Sequence, residues 1–149
     1  MALLAYIRVV AETSATAEPL SPAKSALAVL AGFVVLWVLR ILFLMTAGAL
    51  FPSLYPAEEG AHPTTNGLVL SLVGELINAT LAGLVVGRLA GRAPIAHAGI
   101  LAGLCGFFAL TSMDQVIGFP GWFAIGFAVT APIGLLVGGL IASRVRART

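Results

Sequence analysis

"FVVLWVLRILFLM", residues 33–45, is an apolar run interrupted by one arginine, Arg40. Followed outward, the run extends over about residues 24–51, longer than the roughly 20 residues a helix needs to cross bilayer hydrocarbon. Three further segments of the same kind lie at about 67–89, 94–113 and 119–143. In lipid the backbone must satisfy its own hydrogen bonds, and four spans are too few to close a barrel, so all four are expected to be helices. The fold class is all-α: an integral membrane four-helix bundle over residues 24–149, preceded by a cytoplasmic or interfacial lead-in, 1–23.

Composition agrees with this reading. Of 149 residues, 60% are hydrophobic and 9% charged, against about 25% charged in an ordinary soluble domain. A net charge of +2 gives no footprint for nucleic acid, and the lipid bilayer is the first partner expected. The single cysteine, Cys105, excludes an intrachain disulfide and a cysteine-based metal cluster. "MALLAYIRVV" is too short an apolar run for a signal-peptide core, and Arg8 interrupts it; it is expected to be retained.

The segment ends carry start and stop chemistry. Ser21-Pro22 reads as an N-cap followed by proline at the first helical position, where its missing N–H costs nothing. Phe51-Pro52 and Tyr55-Pro56 close the first helix, "YPAEEGAHPTTNG" is a polar connector, "GRAP" (91–94) a tight turn, and "DQVIGFPG" (114–121) the last connector. Lys and Arg gather at one end of such an arrangement: Arg8, Lys24, Arg88, Arg92, Arg144, Arg146 and Arg148. The other end carries Glu58, Glu59, His62 and Asp114. Positive residues stay on the cytoplasmic side, so both termini are expected inside.

Glycines recur at four-residue spacing: Gly83, Gly87 and Gly91 after Ala79; Gly99 and Gly103; Gly134 and Gly138 after Gly126 and Thr130. Small ridges let membrane helices approach closely, within one chain or between chains. "GLVVGRLAGR" (83–92) also aligns with "GLLVGGLIAS" (134–143), through either duplication of a hairpin or shared small-plus-aliphatic composition.

Within the spans, polar groups are few. Arg40 lies roughly 17 Å below the end of its helix, near mid-bilayer, where a charge costs at least about 2.5 kcal/mol and needs a partner. Glu75 is the only acid inside a span; it shares a helix face with Ser71 and Asn78, and Asn78 falls level with Arg40. The planar guanidinium can serve two acceptors, so Arg40 is expected to bridge Glu75 and Asn78. Side chains lean toward their own helix N-terminus, so the pair needs a flexed arginine or a water. Trp37 reads as a packing residue, while Tyr55, Phe119 and Trp122 fit an interfacial belt. His97 is expected to be an interfacial histidine without a ligand, a haem or pigment ligand being the alternative, His62 at most a weak cation contact, and Pro132 a packing kink with Thr130 as a local satisfier of the freed carbonyl.

The pattern from "FPSLYP" (51–56) through "GRLAGRAP" (87–94) to "GLLVGGLIASR" (134–144) resembles small four-helix membrane proteins of bacteria that have no assigned activity, over about residues 24–145. That resemblance implies a bacterial inner membrane location. Size and a membrane glutamate are also similar to the small multidrug resistance transporters, but those carry the glutamate in the first helix, where this chain has Arg40. No base-activated nucleophile, metal constellation or phosphate loop is present, so no catalytic residue, metal or cofactor is expected. The function expected is assembly: an accessory or structural subunit of a membrane complex, or a homo-oligomer. A small transporter or channel with a polar centre at Arg40, Glu75 and Asn78 is the alternative.

Overall fold

The computed structural model describes residues 21–58, 61–91, 93–111 and 119–147. The lead-in before Ser21 lies outside the described residues, as do Arg92, Asp114 and Arg148. Four helices follow one another: α1 (Pro22–Leu50), α2 (Thr65–Leu89), α3 (Pro94–Thr111) and α4 (Gly121–Arg146).

Their ends follow local chemistry. Ser21 caps α1, its Oγ accepting from the Lys24 N–H at 3.4 Å, with Pro22 in the first turn. Helix α2 begins at Thr65, two residues before the expected position, because Thr64 Oγ1 takes the Gly67 N–H at 3.2 Å and satisfies an otherwise orphaned donor. It ends where Gly91 turns to φ +62°, a left-handed conformation that costs glycine no Cβ clash. Gly91 is therefore a helix terminator and not a member of the α2 packing ridge, which corrects that part of the sequence reading.

Contacts between helices fix their directions. Gly32 meets Val86 while Phe43 meets Gly74, so α1 and α2 are antiparallel. Leu72 meets Gly126, Ala79 meets Gly134 and Gly87 meets Ala142, so α2 and α4 run parallel. Ala98 against Gly139 and Gly106 against Pro132 make α3 and α4 antiparallel. Lys24, Arg88, Arg144 and Arg146 thus gather at one end, the termini end. Glu58 and His62 stand at the connector end, which has no Lys or Arg among the described residues.

The α2–α4 seam is the most extensive contact, α3 packs on α4, α1 packs on α2, and α1 touches α3 only slightly. A Cβ on Gly83 would strike the Leu135 backbone, and one on Gly138 the Thr80 and Leu84 backbone. A Cβ on Gly134 would lie 2.7 Å from that of Ala79, and one on Gly87 2.5 Å from that of Ala142. The two similar decapeptides are opposite walls of this one seam. Close approach demands small residues every fourth position on both walls, which accounts for their likeness without duplication.

The core built on this seam is small and aliphatic, with Leu36, Ala79, Ala82, Val86, Leu101 and Leu135 at its centre. Large apolar side chains face outward instead: Leu27, Met45, Ile77, Phe107 and Ile125 are each more than half exposed. All four helices are long and apolar enough to cross a membrane, so by length and composition this is a multi-pass membrane protein.

Candidate functional site

Arg40 lies ten residues before Leu50, the last residue of α1, and Glu75 lies ten residues after Thr65, the first of α2. At 1.5 Å per residue both sit about 15 Å below the connector ends of their helices. The earlier start of α2 thus makes Glu75 level with Arg40 and puts Asn78 almost one turn deeper.

The pair forms directly. Arg40 Nε donates to Glu75 Oε2 at 3.0 Å and Nη2 to Oε1 at 2.5 Å, a two-pronged contact that uses both carboxylate oxygens. Glu75 is 2% exposed and Arg40 20%. The arginine stem is long enough to overcome the opposed lean of the two side chains, so no bridging water is required. Arg40 has no hydrogen bond to Asn78, which corrects the expected three-residue bridge. Asn78 is 7% exposed, and its Nδ2 has no hydrogen-bond partner among the described residues.

Two aromatic rings complete the arginine's surroundings. Its guanidinium carbon lies 5.0 Å from the Trp37 ring centre and 4.7 Å from that of Phe127. Ring faces attract a desolvated cation by about 2 kcal/mol or more, so Arg40 is held from three helices: by Trp37 on α1, Glu75 on α2 and Phe127 on α4. Gly74 supports this arrangement, because the Phe43 ring occupies the space its side chain would take and draws α1 onto α2 beside Glu75. Above the pair, Tyr55 Oη donates to the Gly67 carbonyl at 2.7 Å and lies 3.0 Å from Ser71 Oγ, closing the connector over the start of α2.

Two cavities meet at Arg40. One, of about 210 Å³, opens toward the connector end and is lined by Tyr55, Ser71, Glu75, Asn78, Phe119 and Phe123, together with Arg40 and Phe127. The other, of about 370 Å³, lies between α1, α3 and α4 against Trp37, Cys105 and Phe108, and shares Arg40 and Phe127 with the first. Arg40 and Phe127, which line both, stand between them.

No family model, curated protein or solved structure matches this chain.

The remaining polar groups stand apart from this centre. His97 Nδ1 lies 3.0 Å from the Ala93 carbonyl, to which it donates. Its neighbourhood is an apolar groove of about 480 Å³ between α1 and α3, lined by Val29, Leu30, Phe33, Ile100 and Leu104. His62 packs its ring edge-on against Phe119, 5.0 Å between centres. Among the described residues no three His, Cys, Asp or Glu converge as metal ligands. Thr130 Oγ1 donates to the Gly126 carbonyl at 2.6 Å, not to the Ala128 carbonyl freed by Pro132, because a helical threonine reaches four residues back.

The glycines divide into two groups. Gly83, Gly87, Gly134 and Gly138 are consumed within the chain. On α3, a Cβ at Gly103 would meet open space, and one at Gly99 only Leu136 at 3.9 Å. Sequence reasoning missed Gly74 and Phe127 and gave Trp37 only a packing role. The spacing of Trp37 and Arg40, three residues apart on one helix face, is a local signal for that contact, whereas nothing in the sequence links Phe127 or Gly74 to it.

Proposed function

We propose that this chain is a non-catalytic integral membrane protein that acts through assembly, as a subunit of a membrane complex or as a homo-oligomer, with both termini on the cytoplasmic face of a bacterial inner membrane. The observation that carries the reading is the α3 ridge of Gly103, which faces open space, and Gly99, met only by Leu136 at 3.9 Å. The α2 and α4 ridges are spent on each other, while α3 offers the same close-packing surface outward, flanked by exposed Ile95, Ile100 and Phe107. Without a hydrophobic driving force between helices in lipid, such small ridges are where membrane helices find each other. The gathering of Lys24, Arg88, Arg144 and Arg146 at the termini end supports the orientation. Gentle solubilisation followed by native electrophoresis tests it: wild type should migrate above a single 15.2 kDa chain in its micelle, and Gly99→Leu with Gly103→Leu should collapse it to the single-chain position. Wild type migrating as a single chain would remove the reading.

A second reading is favoured by the two cavities at Arg40: a small transporter or channel whose polar centre is Arg40, Glu75 and Asn78. Flux in reconstituted vesicles that Glu75→Gln abolishes would support it, and unchanged flux would remove Glu75 from any mechanism.

A further inference from the structure

We propose that the groove between α1 and α3 seats one acyl chain of an anionic phospholipid from the leaflet at the termini end, with Lys24 beside its headgroup. The site is separate from the assembly surface and does not depend on it. On α3 the groove residues His97, Ile100, Leu104 and Phe108 lie roughly 120° round the helix from Gly99 and Gly103.

The length of the groove points to a lipid chain. Helices α1 and α3 both begin at the termini end, so Ser25 and His97, each three residues into its helix, lie at one level. From there the lining runs eight residues along α1 to Phe33 and eleven along α3 to Phe108, about 12 Å and 16 Å at 1.5 Å per residue. Half of a hydrocarbon core roughly 30 Å thick is about 15 Å, so the groove is as long as one leaflet is deep.

Its polarity is graded in the same sense. Ser25 and His97 are the polar side chains of the lining, both at the mouth, and below them Ala26, Val29, Leu30, Phe33, Ile100, Leu104 and Phe108 are apolar. Lys24, next to Ser25, is exposed and enters no ion pair among the described residues. The described residues of the termini end hold Lys24, Arg88, Arg144 and Arg146 and no acid, which favours a headgroup with net negative charge over a zwitterionic one.

The rim decides between a lipid chain and another helix. Leu30, Ile100 and Phe108 are each more than half exposed along the groove. Helices in lipid approach each other over small residues, so these large side chains hold a second helix off, while a thin, flexible chain fits between them. The slight contact of α1 with α3 leaves the space.

The test uses the full chain in detergent with equimolar phosphatidylglycerol and phosphatidylcholine of the same acyl chains, and native mass spectrometry counts the lipid retained. Wild type should keep one phosphatidylglycerol per chain in preference to phosphatidylcholine. Lys24→Gln should lower that preference about fivefold, the worth of one lysine near an anionic surface. Ala26→Trp, at an exposed position on the groove wall, should displace the retained lipid while leaving helix content unchanged. In vesicles of the same mixture, phosphatidylglycerol with a photoreactive group midway along one acyl chain should label Leu30 and Leu104 in excess over Ile125 on α4, and Ala26→Trp should abolish the excess. Equal retention of the two lipids, a preference that both variants leave unchanged, or equal labelling at the three positions would overturn the proposal.

Discussion

Removing the arginine while leaving the acid isolates what the ion pair does. In Arg40→Leu, Glu75 remains 2% exposed with no cation, and breaking a buried pair in this way commonly costs about 3–5 kcal/mol. Adding Glu75→Gln replaces the stranded charge by a neutral amide, whose burial costs about 1–3 kcal/mol, so the double variant should recover part of the loss. SDS unfolding titrations, read by exposure of the only cysteine, Cys105, to a thiol-reactive dye, give these values directly. Arg40→Leu as stable as wild type, or a double variant no more stable than Arg40→Leu alone, would refute the reasoning.

Three other substitutions probe the frame around the pair. Gly138→Leu drives a side chain into the Thr80 and Leu84 backbone and should lose at least the roughly 1–3 kcal/mol typical of overpacking in the same titration, whereas Gly103→Leu should leave single-chain stability unchanged. Gly91→Ala places a Cβ at φ +62° and should cost about 1–2 kcal/mol, seen as a lower SDS midpoint with unchanged helix content by circular dichroism. Tyr55→Phe deletes the hydroxyl that ties the connector to Gly67 and should cost about 1 kcal/mol, with faster hydrogen exchange at the first turn of α2.

Much of this was legible in the sequence because lipid makes strong demands on it. Runs near 20 apolar residues cannot avoid being helices there, and the Ser21-Pro22 cap wrote its own boundary. Glu75 stood out as Arg40's counter-charge because no other acid lies within a span. What failed was finer geometry. The Thr64 cap moved the start of α2 by two residues, enough to shift depth by about 3 Å and exchange Asn78 for Glu75 as the residue level with Arg40. Gly91 fitted a four-residue ridge by spacing, but a helix end overrides periodicity. Phe127 and Gly74 were invisible because they act through contacts between helices, and one sequence gives no register between α1, α2 and α4. Glycine spacing alone could not separate the inward seam from the outward α3 ridge.

That outward ridge is where the account is most directly exposed. A photo-reactive amino acid introduced at position 103 on α3, and separately at position 125 on α4, compares the free glycine ridge with a lipid-facing control, since Ile125 is 62% exposed. Illumination of native membranes should give a discrete protein adduct from position 103 and only lipid adducts from position 125. Position 103 yielding no protein adduct, or both positions yielding the same one, would contradict assembly through α3.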